Sequence, residues 1–191
     1  IGNFSYRVLN FLNRNFDGKI ENIDSNKELK GEIGRQIKNI EENYYNLKFN
    51  EAVKGILHIS SLGNKYFQDN EPWKLIKENR EKVHEILGLS LNMVKELSIL
   101  INPILPNFSL NLQNQLNLKN LKWNGLGNEI KNHKISKEEI LVNKIEEKEA
   151  KDENKKQFPL NLKVAEIIEI KEHPNAEKLY VIQIDLGNEK R

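Results

Sequence analysis

"NREKVHEILGLSLNMVKELSILINPILP", residues 79–106, decides what kind of fold this chain adopts. It reads as one long, strongly apolar helix, and it stops at Pro103 and Pro106, which cannot donate to a continuing ladder of backbone hydrogen bonds. On the N-terminal side, residues 3–16 place Phe4, Val8, Phe11, Leu12 and Phe16 at helical spacings. Ser25 followed by Glu28 has the form of a capping box, in which the serine oxygen takes an orphan amide and the glutamate reaches back to the cap. A second helix is therefore expected from about Asn26 to Asn43. "FNEAVKGILHISSLGNKYF", residues 49–67, predicts a third, with Phe49, Val53, Ile56, Leu57, Ser60 and Asn64 stepping along one side. A short helix near Phe108–Leu116 follows the prolines. Four or five helices joined by short loops make a bundle.

The character changes after residue 128. Residues 129–157 hold eight Lys and eight acidic residues, with few large apolar side chains beyond "ILVNKI", and such a stretch reads as a solvated charged linker, partly helical. Beyond Phe158 and Pro159 the period changes again. In "LNLKVAEIIEIKEH" (160–173) and "KLYVIQIDLG" (178–187) Ile, Val and Leu recur largely at every second position, as half-buried strands require, and "HPNAE" (173–177) is a turn between them. Two strands alone are marginal in water, so they read as the opening of a β domain. The expected organisation is mainly α: a helical domain over 1–128, a linker over 129–157, and the first strands of an incomplete β domain over 158–191.

Composition narrows the function. The 191 residues are 38% hydrophobic and 30% charged, enough for one core and a smaller second unit. No run of about 18 uncharged apolar residues exists, so no membrane span is expected. The start, with Arg7 and no small-residue cleavage site, is not a secretory signal, and the missing initiator Met suggests a fragment. Cysteine is absent, which rules out disulfides and thiol chemistry and fits a reducing cytosol. A net charge of +2 does not announce a nucleic-acid binder, so any RNA contact must be local. The 28 Asn residues suggest drift towards AT-rich codons, and a single Asn carries little weight. No catalytic signature is present: no glycine-rich phosphate loop, no metal-spaced cluster and no nucleophile set, while His58, His84, His133 and His173 are scattered.

Two local features remain. Trp73 directly follows Pro72 in a turn after "QDNE" and is not placed by helical period in a core stripe. Its indole either packs under the turn to cap the bundle, or leaves one face open, where a base would stack for roughly 1–3 kcal/mol. Asn3 and Arg7 are four residues apart, so on one helix they bring an amide and a guanidinium fork to one point. Such a pair suits the Watson-Crick edge of a splayed base.

Taken together, "GNFSYRVLNFLNRNFDG", "FNEAVKGILHISSLGNKYFQDNEPWKL" and "LSILINPILPNFSLNLQNQL" resemble the helical anticodon-binding domain of methionyl-tRNA synthetases. "LKVAEIIEIKEHPNAEKLYVIQIDLGNEKR" resembles the beginning of the OB-fold tRNA-binding module appended to some of them. The resemblance implies that Asn3 and Arg7 hydrogen-bond the first anticodon base, that Trp73 stacks in the anticodon loop, and that Asn64 and Pro72 shape the platform under it. His173, Pro174, Asn175 and Lys178 match the module's signature turn, with Lys178 placed to meet phosphate. Ala165 departs from the family, which usually has Gly there, and the module's remaining strands and the whole catalytic domain are missing. The resemblance therefore implies no cofactor for this chain, and ATP, with zinc as a further option, for a catalytic domain located elsewhere. It implies methionine tRNA, the catalytic domain or subunit, and a second copy through the completed module as partners, in the cytoplasm and without a membrane. A free-standing tRNA-binding accessory protein, the corresponding domain of another class I synthetase, and a helical interaction domain without an RNA role are the competing readings.

Overall fold

The computed structural model describes residues 1–21, 26–142 and 163–187. It divides into two compact units, Ile1–Lys144 and Ile145–Arg191.

The first unit is the helical bundle. α1 (Gly2–Phe16) buries Phe4, Val8, Leu9 and Leu12 and ends at Asp17 and Gly18, both left-handed with φ of 52° and 70°. This reversal leads into β1 (Lys19–Ile20), which pairs antiparallel with β2 (His133–Lys134). α2 (Lys27–Tyr45) and α3 (Phe49–Asp69) form an antiparallel hairpin. α4 (Pro72–Leu75) is a single turn, followed by α5 (Arg80–Leu100) and α6 (Pro106–Gln115). The N-cap of α2 is Asn26, whose side chain accepts from the Leu29 amide at 3.1 Å, and the expected cap Ser25 lies outside the described residues.

α5 is the axis of the bundle. Fifteen of its residues are buried, and between Ile86 and Leu100 only Asn92 is not. A helix buried on every side is one that its neighbours surround, and α1, α3 and α6 pack around this one. At its start, Arg80 donates to the Asn15 carbonyl and lies over the Phe16 ring at 4.3 Å, holding the beginning of α5 to the end of α1.

One buried polar network sits on this axis. Lys95 and Glu96 are 2% and 6% exposed. The Lys95 ammonium donates to the Gly125 carbonyl (2.7 Å), the Asn128 carbonyl (2.6 Å) and Glu96 Oε1 (2.8 Å), and the Gly127 amide donates to the same Oε1 at 3.0 Å. Burial raises the Glu96 carboxyl above its usual range, opposed by Lys95 and by the Gly127 amide.

Two expectations are corrected. The core stripe of α3 is rotated from the one proposed: Phe49 and Leu57 are exposed, while Ala52, Ile56, Ile59, Ser60, Gly63 and Phe67 are buried. Size misled the reading, because the buried face is the one where neighbours approach closest and small residues are needed. A Cβ on Gly55 would lie 2.6 Å from Ile40 Cγ1. The second correction concerns residues 129–142, which are not a solvated linker. Ile130 and Ile135 are buried, the Ile130 amide donates to Asn92 Oδ1 at 2.7 Å, and Lys30 pairs with Glu129 at 2.5 Å. Glu138 accepts from Asn10 (2.6 Å) and Asn13 (2.5 Å) of α1, and Gln115 of α6 exchanges two hydrogen bonds with the backbone of Glu139. The charges that made the stretch look solvated are partners for the polar edges of the bundle. Residues 143–157 of that expected linker lie outside the described residues.

Replacing Ile135 by alanine is accordingly expected to cost about 2 kcal/mol, the lower end for a buried isoleucine. Urea denaturation measures it; a loss below about 0.5 kcal/mol, the scale of a surface change, would mean that the segment carries no core.

In the second unit, β3 (Glu166–Glu172) and β4 (Tyr180–Asp185) pair antiparallel as expected, but they are not half-buried: every residue of β3 is exposed, and in β4 only Ile184 and Asp185 are partly covered. Ile167 faces Ile184 and Ile170 faces Ile182, with an irregularity between Ile167 and Glu169 that interrupts the simple period of two.

Candidate nucleic-acid interface

Gly63 sets the geometry. A Cβ there would stand 2.4 Å from the Phe4 ring, so only glycine lets α1 settle this deeply against α3. The close approach carries Arg7, one turn beyond Asn3 on α1, to the C-terminal end of α3. Its guanidinium carbon lies 5.3 Å from the centroid of the Phe67 ring, and Nη2 donates to Gln68 Oε1 at 3.2 Å.

The indole arrives from the other side. α3 ends at Asn70, whose side chain donates to the Tyr66 carbonyl at 2.7 Å. Glu71 then turns the chain with φ of 41°, and buried Pro72, whose missing N–H is no loss at the first helical position, starts α4. Trp73 is thereby set beside Phe67, ring centroids 6.1 Å apart, with its centroid 5.8 Å from the Arg7 guanidinium carbon. Phe67, 2% exposed, is the floor, and Phe11 meets it edge-on at 6.1 Å. Trp73 keeps 36% of its surface exposed. The cation over two aromatic faces is attracted to both rings, by about 0.5–2 kcal/mol depending on solvation.

Of the residues proposed from the sequence, Arg7, Pro72 and Trp73 are brought together. Asn3 is exposed on α1, one turn from Arg7. Asn64 is half-buried and donates to the Ser60 carbonyl of its own helix at 3.0 Å, so its amide is engaged with α3 and not with the indole. His173, Pro174, Asn175 and Lys178 belong to the second unit. There His173 Nδ1 accepts from the Asn175 amide at 3.2 Å, and the His173 amide donates to the Leu179 carbonyl at 3.1 Å. The turn is closed on itself, with Pro174, Asn175 and Lys178 exposed.

Phe67, Gln68 and Gly63 were not foreseen as parts of this site. A glycine inside a helical pattern is a signal of close approach, whereas the pairing of Gln68 with Arg7 has no trace in local sequence, being a contact across 61 residues. The assembled group offers a partly open indole, an arginine fork steadied by an amide and two rings, and a second exposed amide. That combination suits a planar ring that stacks and presents donors and acceptors at its edge. Among the described residues no group of three or more His, Cys, Asp or Glu is arranged to hold a metal, and no helix is long and apolar enough to cross a membrane.

Residues 18–160 match the family model for the anticodon binding domain of methionyl tRNA ligase, and residues 162–191 match a model for a tRNA binding domain. The chain is 30% identical to the methionine–tRNA ligase of Pyrococcus abyssi, aligned over 100% of this chain and 36% of that protein. It is 33% identical to a methionine–tRNA ligase of Dictyostelium discoideum designated cytoplasmic, over 99% of this chain and 28% of that one. The chain thus spans about a third of the length of these relatives. Among solved structures, the free methionyl-tRNA synthetase of Mycobacterium tuberculosis matches with a TM-score of 0.66 at 16% identity, over 73% of this chain and 31% of that one. The same enzyme in complex with methionyl-adenylate matches with a TM-score of 0.62 at 18% identity, over 73% and 30%. At these identities the structures speak for the fold alone.

Proposed function

Because the chain belongs to the family of anticodon-binding domains of methionyl tRNA ligase, we propose that its helical unit reads the CAU anticodon of methionine tRNA. The observation that carries this is the Arg7 guanidinium held beside a partly open Trp73 indole, over Phe67. In this mechanism the anticodon loop unstacks, one base lies on the indole, and the first anticodon base meets the Arg7 fork and the Asn3 amide through its Watson-Crick edge. Pro72 holds the indole from below, and Asn64 supports the end of α3 that carries Phe67 and Gln68. Phosphate contacts position the loop, and base contacts specify it.

The second unit adds affinity for the tRNA body that is indifferent to sequence, with Lys178 on phosphate and the His173–Pro174–Asn175 turn shaping the contact. In the same reading its strands belong to an OB-fold module through which two copies can pair. A catalytic domain, on the same chain or a separate subunit, then uses ATP, with or without zinc, to charge the bound tRNA in the cytoplasm.

Filter binding of the full chain tests this, with methionine tRNA compared against the same tRNA carrying one changed anticodon base. The unaltered tRNA is expected to bind at least about tenfold more tightly, in line with roughly 1.5–3 kcal/mol for a hydrogen bond to a charged group that the wrong base edge forfeits, and both affinities are expected to fall as salt rises. Equal affinities across the salt series would overturn base reading.

A further inference from the structure

A second set of cationic groups converges where the end of α1 meets the start of α5. Arg14, Lys19 and Arg80 line one open hollow there, around the half-buried Phe16 ring. Arg80 donates to the Asn15 carbonyl and lies over the Phe16 ring at 4.3 Å, so a planar fork on an exposed side chain is held in one place. His84 stands 4.8 Å from the same ring, and its Nε2 donates to the Lys19 carbonyl at 3.1 Å. Lys19 is fixed as well by its strand pairing with Lys134, and its side chain remains exposed. The acids at the hollow do not cancel these cations. Asp17 pairs with Lys134 at 2.9 Å, and Glu81 sits in the first turn of α5, where the helix amides favour an acid. Glu21 completes the acidic lining. With Lys134 included, four cations stand against three acids, so recognition here rests on converging donors and not on a wide positive field.

Position ties the hollow to the anticodon residues. Arg14 lies seven residues beyond Arg7 on α1, two turns along the same face and about 10 Å away. The chain from Trp73 to Arg80 follows the same course, since Trp73 sits beside Arg7 and Arg80 meets Asn15 and Phe16. Glu138, the acid beside this path, accepts from the Asn10 amide on one carboxylate oxygen (2.6 Å) and from the Asn13 amide on the other (2.5 Å). We propose that the hollow binds a backbone phosphate of the RNA strand whose base lies on Trp73, with Arg80 and Arg14 as charged donors and Lys19 at the edge. This rests on the function proposed above and adds to it a contact indifferent to sequence, because a phosphate carries no base identity.

Filter binding of the full chain across a salt series tests it, with methionine tRNA and the same tRNA changed at one anticodon base. Arg14→Gln combined with Lys19→Gln leaves the Arg80–Phe16 contact in place. It should weaken both tRNAs by the same factor, roughly three- to tenfold, and make the fall of log affinity with log salt shallower by about one. Arg80→Gln should act in the same direction, with circular dichroism to show that the bundle stays folded. Lys48→Gln is the control, because Lys48 caps the opposite end of α3, about 30 Å from Gln68, and its loss should change neither affinity nor slope. An unchanged slope in the folded double variant, a loss confined to methionine tRNA, or an equal effect of Lys48→Gln would each overturn the proposal. Equal binding of the two tRNAs by the unaltered chain would instead overturn anticodon reading, and the slope would still decide the phosphate contact. Binding of neither tRNA would overturn both.

Discussion

Arg7→Ala is expected to weaken binding of methionine tRNA about 100-fold. The substitution removes hydrogen bonds to a charged donor, each worth about 1.5–3 kcal/mol, and also the cation that lies beside the Trp73 ring at 5.8 Å. The informative companion is Arg7→Lys, which keeps the charge but loses the planar fork that reaches Gln68 and presents paired donors to a base edge. Under the proposed mechanism Arg7→Lys falls nearly as far as Arg7→Ala, and Trp73→Ala falls about 10- to 100-fold, the range for loss of one stacking platform. A tRNA changed at the base that meets Arg7, already deprived of those edge contacts, should lose much less on substitution of Arg7, whereas Trp73→Ala removes a platform on which any base stacks and should weaken both tRNAs. Filter binding at fixed salt measures all three variants, with circular dichroism to confirm folding. If Arg7→Lys binds like the unaltered chain, the residue supplies charge and not base recognition.

Lys95→Met is expected to be the most damaging substitution for stability, costing about 3–5 kcal/mol, the usual penalty when a buried ion pair loses one partner. It strands Glu96 and also frees the Gly125 and Asn128 carbonyls, so the segment that Lys95 ties to α5 loosens with it. The paired replacement Lys95→Met with Glu96→Leu should recover much of the loss, since no charge then remains in the core. The loss should also grow with pH. Burial already holds the folded Glu96 carboxyl above its ordinary value, and Lys95 is what restrains the shift. A raised folded value means that this group's contribution is complete below its unfolded pKa and disappears as pH rises through the folded one. Removing Lys95 raises the folded value further, so urea denaturation should show a larger penalty at pH 8 than at pH 5. A penalty independent of pH would point to lost carbonyl contacts as the whole effect.

The parts of this protein legible in its sequence are those governed by local rules. The apolar run of α5 and the prolines that end it, the helical spacing of Phe4, Val8 and Leu12, and the Pro-Trp turn all depend on residues within a few positions of one another. The same holds for the β3–β4 hairpin, whose strands follow from alternation even though an irregularity shifts their register. Reading failed where a residue's role depended on what approached it from far along the chain. Phe49 and Leu57 had the size of core residues and are exposed, while Gly63 had no side chain to offer and decides where α1 lies. Residues 129–142 had the composition of a solvated tether, yet their charges and amides complete the polar edges of α1, α2 and α6.

The sequence by itself determined that this chain is a helical bundle followed by a strand pair, and it singled out Arg7 and Trp73. Periodicity, caps and breakers act over one or two turns, and those are written in neighbouring residues. Only the tertiary structure decided that Arg7 lies over Phe67 and beside Trp73, steadied by Gln68, and that Glu96 is buried on Lys95 and the Gly127 amide. The physical reason is that both arrangements are set by how closely helices approach, and that distance depends on the space each side chain leaves for another far away in the chain.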